Sequence, residues 1–238
     1  MTAELSARAG AALGALGARY GLGDGELARL RGLLETLQRS EHAPTSVSEA
    51  EQAVDIHIAD SLVALELGVP LQRARIAEVG AGAGFPGLAL AAVLPAAAVW
   101  LIESNERKCR FMLEAIAAAG IGNARVECVR AEAWDGGIEA NDVVLARALA
   151  PQPVVLEYAA PLLRIGGTLL DWRGRLTGEQ EAAAARAAEV LGMRRERIRA
   201  VDPFPGAVER HIHVFAKVAR TPSRFPRRPG MARKRPLG

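Results

Sequence analysis

The sequence predicts an α/β protein. A doubly wound, mostly parallel seven-stranded sheet is closed by an antiparallel C-terminal hairpin and preceded by helices. Three observations predict it. From residue 75 onward, short apolar and β-branched runs alternate with helical stretches, the rhythm of repeated βαβ units. A glycine-rich string, "EVGAGAGFPGLAL" at 78–90, follows the first of those runs and opens a helix. After the last long helix, two strand-like runs at 194–200 and 211–218 are separated by "PFPGAVE", a Pro/Gly connection long enough for a wide hairpin.

The elements follow in order. Residues 3–20 and 24–39 carry leucines at helical spacing, Leu5, Leu13 and Leu16 on the first and Leu27, Leu30, Leu34 and Leu37 on the second. Asp24 is the expected N-cap of the second helix, and Ser46 or Ser48 that of a third over 49–67, ended by Gly68 and Pro70. Strands are expected at 75–79, 98–103, 125–130, 142–147 and 167–172, with helices near 87–94, 105–119 and 151–163 between them and another at 178–191. Residues 1–70 thus read as a helical extension, 71–219 as the core and 220–238 as a tail. The tail has four prolines, two glycines and no period, so it is expected to be extended or disordered.

With 238 residues, half of them hydrophobic, the chain can bury one large core. No run of 18 apolar residues occurs, so no membrane span is expected. The Ala/Leu/Gly-rich start is interrupted by Glu4, Arg8 and Arg19 and reads as an amphipathic helix, not a signal sequence. Cys109 and Cys128 have no metal-ligand spacing; both are expected as free thiols in a reducing cytoplasm. The net charge of +3 hides an asymmetry. The tail from Arg220 holds seven basic residues and no acid, which leaves 23 bases against 27 acids in the body. Such a block suits a polyanion, and Phe225 among the arginines offers a ring for a base to stack on.

Glycines between a strand and a helix permit positive φ and let backbone N–H groups approach a ligand. Two templates compete for this turn. The dinucleotide fingerprint G-x-G-x-x-G fits Gly82, Gly84 and Gly87. An acid followed by x-G-x-G-x-G, the pattern of S-adenosylmethionine (SAM) sites, fits Glu78, Gly80, Gly82 and Gly84. The second starts directly on the strand. Its acid also suits a ligand bearing an ammonium and a sulfonium, and would repel a pyrophosphate. Glu103 ends the second strand, where a carboxylate can take both ribose hydroxyls. The expected fold is therefore the Rossmann-like class I SAM-dependent methyltransferase fold, and the expected cofactor is SAM.

Several strings together resemble one family. "HIADSL", "EVGAGAGFPGLALA", "RVECVRAEAW", "DVVLARALAP", "PLLRIGGTLLDWRGR", "ERHIHVFAKV" and "FPRRPGMARKRPL" occur in that order over roughly residues 50–238. They resemble the RsmG (GidB) family, bacterial enzymes that methylate N7 of one guanine in 16S ribosomal RNA. The resemblance implies a small-subunit RNA or particle as partner, a monomer, and these cofactor contacts: Gly80, Gly82 and Phe85 from the turn, Glu103 and Ser104 after the second strand, Ala131 and Glu132 flanking the adenine, and Arg147 at the methyl-transfer site. Two positions depart from the family pattern. Relatives often carry an Asn-Leu pair ahead of the third helix, and here Ala43-Pro44 stand nearby; Arg173 stands where a lysine is common after the fifth strand.

Guanine N7 offers a lone pair and has no proton to lose, so its methylation is an in-line displacement that needs no general base. Arg147 is accordingly expected to shape the pocket or to grip guanine O6 or a phosphate; a structural ion pair with Glu103 or Glu132 is the alternative. His57 and Asp60 share a helix face, to reach the target base, to cap the SAM pocket or to make a helix-to-sheet polar contact. His211 and His213 alternate on a strand without further ligands, so no metal is expected. Two other readings stay open, a methyltransferase acting on another RNA or a protein and a non-catalytic SAM- and RNA-binding module.

Overall fold

The computed structural model describes residues 5–40, 43–45, 47 and 49–238; Ser46 and Ser48, the expected caps of the third helix, lie outside them. Helix α1 (Ala7–Tyr20) starts at Ser6, whose hydroxyl accepts from the Ala9 N–H at 3.1 Å. Helix α2 (Asp24–Arg39) starts at Gly23, not at Asp24. The Glu26 carboxylate accepts from the Gly23 N–H at 3.0 Å, so the cap reaches back from inside the helix, and Asp24 becomes a first-turn acid facing the helix dipole. The third helical run is irregular. α3 (Ala50–Ala53), a π-helical turn (Val54–Ala59), α4 (Asp60–Leu62) and a 3-10 turn (Val63–Leu67) follow without a break and end at Gly68.

Strands β1 (Arg75–Val79), β2 (Ala98–Ile102), β3 (Ala124–Glu127), β4 (Asn141–Arg147), β5 (Leu163–Arg173), β6 (Met193–Ala200) and β7 (His211–Lys217) form one sheet in the order β3-β2-β1-β4-β5-β7-β6. The first five run parallel, and β7 lies antiparallel between β5 and β6. Side chains alternate between two apolar layers. Ile76, Val99, Leu101, Val143 and Leu145 belong to the layer of α5 (Gly87–Val93) and α6 (Glu106–Ala118), on which α2 packs, with α1 against α2. Ala77, Val79, Val144 and Ala146 face α7 (Gln152–Ala159) and α8 (Gly178–Val190). Strand order reverses between β1 and β4, which opens a crevice at their carboxyl ends. The expected helix over 151–163 is shorter, because Leu163 pairs with Asn141 and joins β5. The expected strand over 125–130 stops at Glu127, and the chain then turns away from the sheet.

Two expectations are corrected. Cys109, in the first turns of α6, and Cys128, just past β3, are joined as a disulfide with Cα atoms 5.9 Å apart. Their spacing of 19 along the chain hides that α6 packs beside β3. The tail is also not disordered. Thr221 donates its hydroxyl to the Leu191 carbonyl at 3.1 Å, Phe225 is buried in the α7–α8 layer, and residues Met231–Lys234 form a short helix, α9. Among the described residues no helix is long and apolar enough to cross a membrane.

Candidate active site

The glycine turn leaves β1 at its carboxyl end. Gly80 has φ of 68°, and a Cβ there would run into the Leu149 side chain. The Gly80 and Ala81 N–H groups donate to the Ile102 carbonyl at 2.9 and 3.1 Å, which ties the turn to the end of β2. One residue further on, Glu103 accepts three backbone N–H groups, from Gly82 at 3.1 Å on one oxygen and from Ser104 and Asn105 at 2.8 and 2.9 Å on the other. This carboxylate is therefore fixed in place by the turn on one side and the start of α6 on the other.

Glu78 behaves differently from the sequence expectation. Its side chain is buried behind the turn and lies outside the wall of the cavity described below. It accepts the Gly87 N–H at 2.8 Å, at the N-terminus of α5. Burial pushes its carboxyl up to about 8, against the opposing pull of that hydrogen bond and of Arg147.

A cavity of about 410 Å³ occupies the crevice. Gly80, Gly82 and Phe85 from the turn, Glu103 and Ser104 after β2, Ala131 and Glu132 after β3, and Arg147 at the end of β4 all stand in its wall. Other wall residues were not expected from the sequence, among them Pro44, Lys108, Arg130, Leu149, Tyr158 and Arg233. The first comes from the helical prefix and the last from the tail. The chain therefore closes over the cavity from both ends, which no local pattern signals.

Arg147 is held by the helical prefix, not by Glu103 or Glu132. Its Nη1 donates to the Ile56 carbonyl at 2.7 Å and to Asp60 Oδ2 at 3.0 Å, and Nη2 approaches His57 Nδ1 at 3.4 Å. Since Nδ1 takes a donor, the neutral imidazole carries its proton on Nε2, which lies 2.9 Å from Thr45 Oγ1. Burial first, and Arg147 second, drive His57 down to about 4, so it is neutral at pH 7. Its ring stacks on Phe85 with centroids 4.8 Å apart. Beyond Arg147 lies a second, smaller cleft of about 190 Å³, lined by Asp60, Trp172, Arg173, Arg210 and His211. Arg147 and Ala148 belong to both spaces. Arg173 is anchored by Asp171, whose Oδ2 accepts from it at 2.7 Å and from Gln152 at 2.9 Å. His211 stands in that cleft, whereas His213 is buried next to Arg173 and Arg195, and burial drives it down to about 4.

The cavity fits SAM in three respects. A backbone cradle lies where a Cβ would intrude, a fixed carboxylate follows β2, and beyond β3 the apolar Val129 and Ala131 alternate with Arg130 and Glu132. Sheet order, turn and carboxylate together define a Rossmann-like SAM-dependent methyltransferase. Solved structures share the fold. Aeropyrum pernix fibrillarin, in complex with natively bound S-adenosyl-L-methionine, superimposes with a TM-score of 0.54 at 19% identity over 66% of this chain and 73% of that one. A SAM-dependent methyltransferase from Aquifex aeolicus gives 0.55 at 18% identity over 71% and 93%.

Within that class the family is specific. The model of the GidB family, rRNA small subunit methyltransferase G, matches residues 27–212. The chain is 37% identical over 198 residues to ribosomal RNA small subunit methyltransferase G of Chloroflexus aggregans, covering 81% of this chain and 82% of that protein. It is 39% identical to the protein of the same name from Rubrobacter xylanophilus, covering 79% and 75%. The chain belongs to the rRNA small subunit methyltransferase G family.

Proposed function

We propose that this protein transfers a methyl group from SAM to N7 of a guanine in 16S ribosomal RNA of the small subunit. The observation that carries the reading is Arg147, shared by the cofactor cavity and the arginine-lined cleft beside it. The family to which the chain belongs supports the substrate class. Bound SAM supplies an electrophilic methyl on a sulfonium. The chain's own residues bind and align. The Gly80–Gly82 backbone and Phe85 would hold the cofactor, Glu103 with Ser104 beside it would take the ribose, and Ala131 and Glu132 would lie by the adenine.

The target guanine must be exposed or pulled from its stack for N7 to meet the methyl, and the cleft of Asp60, Trp172, Arg173 and Arg210 is where we place it. N7 carries no proton, so alignment and field effects account for the catalysis. Arg147, held by Asp60 and Ile56, points a fixed guanidinium at the junction, where it can grip guanine O6 or a phosphate. Positive charge moves onto the base as the methyl arrives. Asp60 offsets the charge of Arg147 there, and a neutral His57 adds none. In this reading residues 1–70 close the site, 71–219 form the cofactor core and 220–238 supply the basic segment, in a cytoplasmic monomer. The test is labelled methyl transfer to ribosomal RNA and to small subunits from cells lacking the enzyme, followed by cleavage at 7-methylguanine. A single cleavage in 16S RNA is expected. Label at another atom or in another RNA would overturn the reading.

A further inference from the structure

The basic tail lies outside the part of the chain that matches the family model, which ends at residue 212. Composition alone makes it an RNA arm. Its contacts say otherwise. Glu157 on α7 is fully buried, and Arg227 caps it with two hydrogen bonds, Nε to Oε1 at 2.6 Å and Nη2 to Oε2 at 2.5 Å. The same Nη2 donates to the Arg235 carbonyl at 2.8 Å, so one guanidinium pins both ends of the segment 227–235. Ala232 is buried against Val154 and Tyr158 of α7. The Gly230 N–H donates to Glu132 Oε1 at 2.9 Å, and Arg233 Nη2 donates to the Leu149 carbonyl at 3.0 Å. Glu132, Leu149, Tyr158 and Arg233 all stand in the wall of the cofactor cavity.

We infer that residues 224–235 are a fixed strap that completes the cofactor cavity at its adenine end, with Arg233 contacting the cofactor and Arg227 positioning the strap. This rests on the SAM reading of the cavity. The chemistry fits a purine. Arg233 spends one donor on the Leu149 carbonyl and another on the Tyr158 hydroxyl, and its planar fork, with five donors, keeps others for ring-nitrogen acceptors or for stacking on the base. An arm built only for RNA would have no use for a guanidinium that stands in the cavity wall while the residue stays open to solvent, or for a strap bonded to Glu132. The exposed Arg224, Arg228, Lys234 and Arg235 remain on the outside for phosphates.

The test is calorimetric titration of SAM and of 5′-methylthioadenosine, which lacks the amino-acid end, into the full-length chain and its variants. Arg233→Ala should weaken both ligands by the same factor, about tenfold for one solvent-screened, charge-assisted hydrogen bond, with the ligand-free melting temperature unchanged. Arg233→Lys should recover only part of the loss, because an ammonium lacks the fork. The pair Arg227→Met with Glu157→Met removes the clamp without stranding a buried charge, and should weaken both ligands although Arg233 is present. Unchanged affinity for both ligands in Arg233→Ala, alongside wild-type binding, would overturn the strap alone. Loss for SAM but not for methylthioadenosine would place Arg233 at the wrong end and also overturn it. Failure of the wild-type chain to bind SAM would remove the cofactor reading and the strap with it.

Discussion

Breaking the Arg147–Asp60 pair tests the architecture of the site most directly. The side chain of Asp60 is 3% exposed and that of Arg147 17%, and they meet at 3.0 Å. Arg147→Met strands a buried carboxylate, which costs about 3–5 kcal/mol when no partner remains. Asp60→Asn costs less, about 1–2 kcal/mol, because Arg147 keeps the Ile56 carbonyl and some solvent. The double variant removes both charges and leaves neither stranded. It should therefore be more stable than the two single costs added together, by about 2 kcal/mol. The Trp172 Nε1 bond to the Asp60 carbonyl, 2.8 Å, involves backbone on the Asp60 side and survives all three substitutions, so the cycle isolates the ion pair. Urea unfolding at pH 7 reads each stability as a midpoint at constant slope. Activity is read alongside: Arg147→Met and the double variant should be equally inactive, and Asp60→Asn only partly impaired. Additive stabilities, within about 0.5 kcal/mol, would show that the pair is not coupled and that Arg147 is held some other way.

Three further outcomes are expected. Burial raises Glu78 from 4.5 to about 8, so the unfolded chain ionises first; the stability this group confers is complete below pH 4.5 and is lost as pH climbs through 8. Glu78→Gln, which can still accept the Gly87 N–H, should flatten that part of the melting-temperature profile, and an unchanged slope would refute the burial. His57 shows the opposite sign: its contribution is complete above pH 6.5 and is lost as pH falls through about 4, so activity should have no limb near 6.5, and a limb there that vanishes in His57→Asn would contradict the stacked, neutral imidazole. Gly80→Asp places a Cβ into Leu149 at a left-handed φ and adds a charge to the cradle; SAM should stabilise the wild type in a thermal melt, NAD should not, and the variant should respond to neither. A variant that SAM still stabilises would exclude the cradle.

What could be read from the sequence depended on how far apart the cooperating residues lie. Gly80, Gly82 and Glu103 belong to contiguous strand-turn-helix patterns, and their side of the cavity was legible. Glu78 was legible as an acid on β1 but not in its direction, because the start of α5 offers it an N–H that competes with any ligand. Arg147 stands out only by resemblance, and its expected partners were acids near it on the sheet. The true partner, Asp60, is 87 positions away on a helix that crosses the end of β4. The tail shows the limit most clearly. Prolines, glycines and seven like charges have the composition of a disordered segment, and the buried Glu157 that holds Arg227 lies 70 positions away inside an apolar helix. The disulfide is of the same kind, set by how α6 packs against β3 and not by spacing.

The irregular helix over 50–67 shows why the prefix is part of the site. In a regular α-helix the Asp60 N–H would occupy the Ile56 carbonyl, four residues back. Here it donates to the Asp55 carbonyl, five back, in the π-helical turn, while the Ile56 carbonyl accepts Arg147. The Ser61 hydroxyl bonds the His57 carbonyl at 2.5 Å in the same stretch. The widened turn thus redirects one backbone acceptor toward the guanidinium, and it sets His57 and Asp60 on either side of that contact. Such turns cost helix stability and persist where function uses them. The apolar layer that includes Leu13, Leu34 and Ile58 of the prefix is continuous with Leu88 and Leu101 of the core. Loosening the prefix would therefore release Arg147 and, with it, the His57 ring stacked on Phe85, so methyl transfer should fail and cofactor affinity should fall in the same variants.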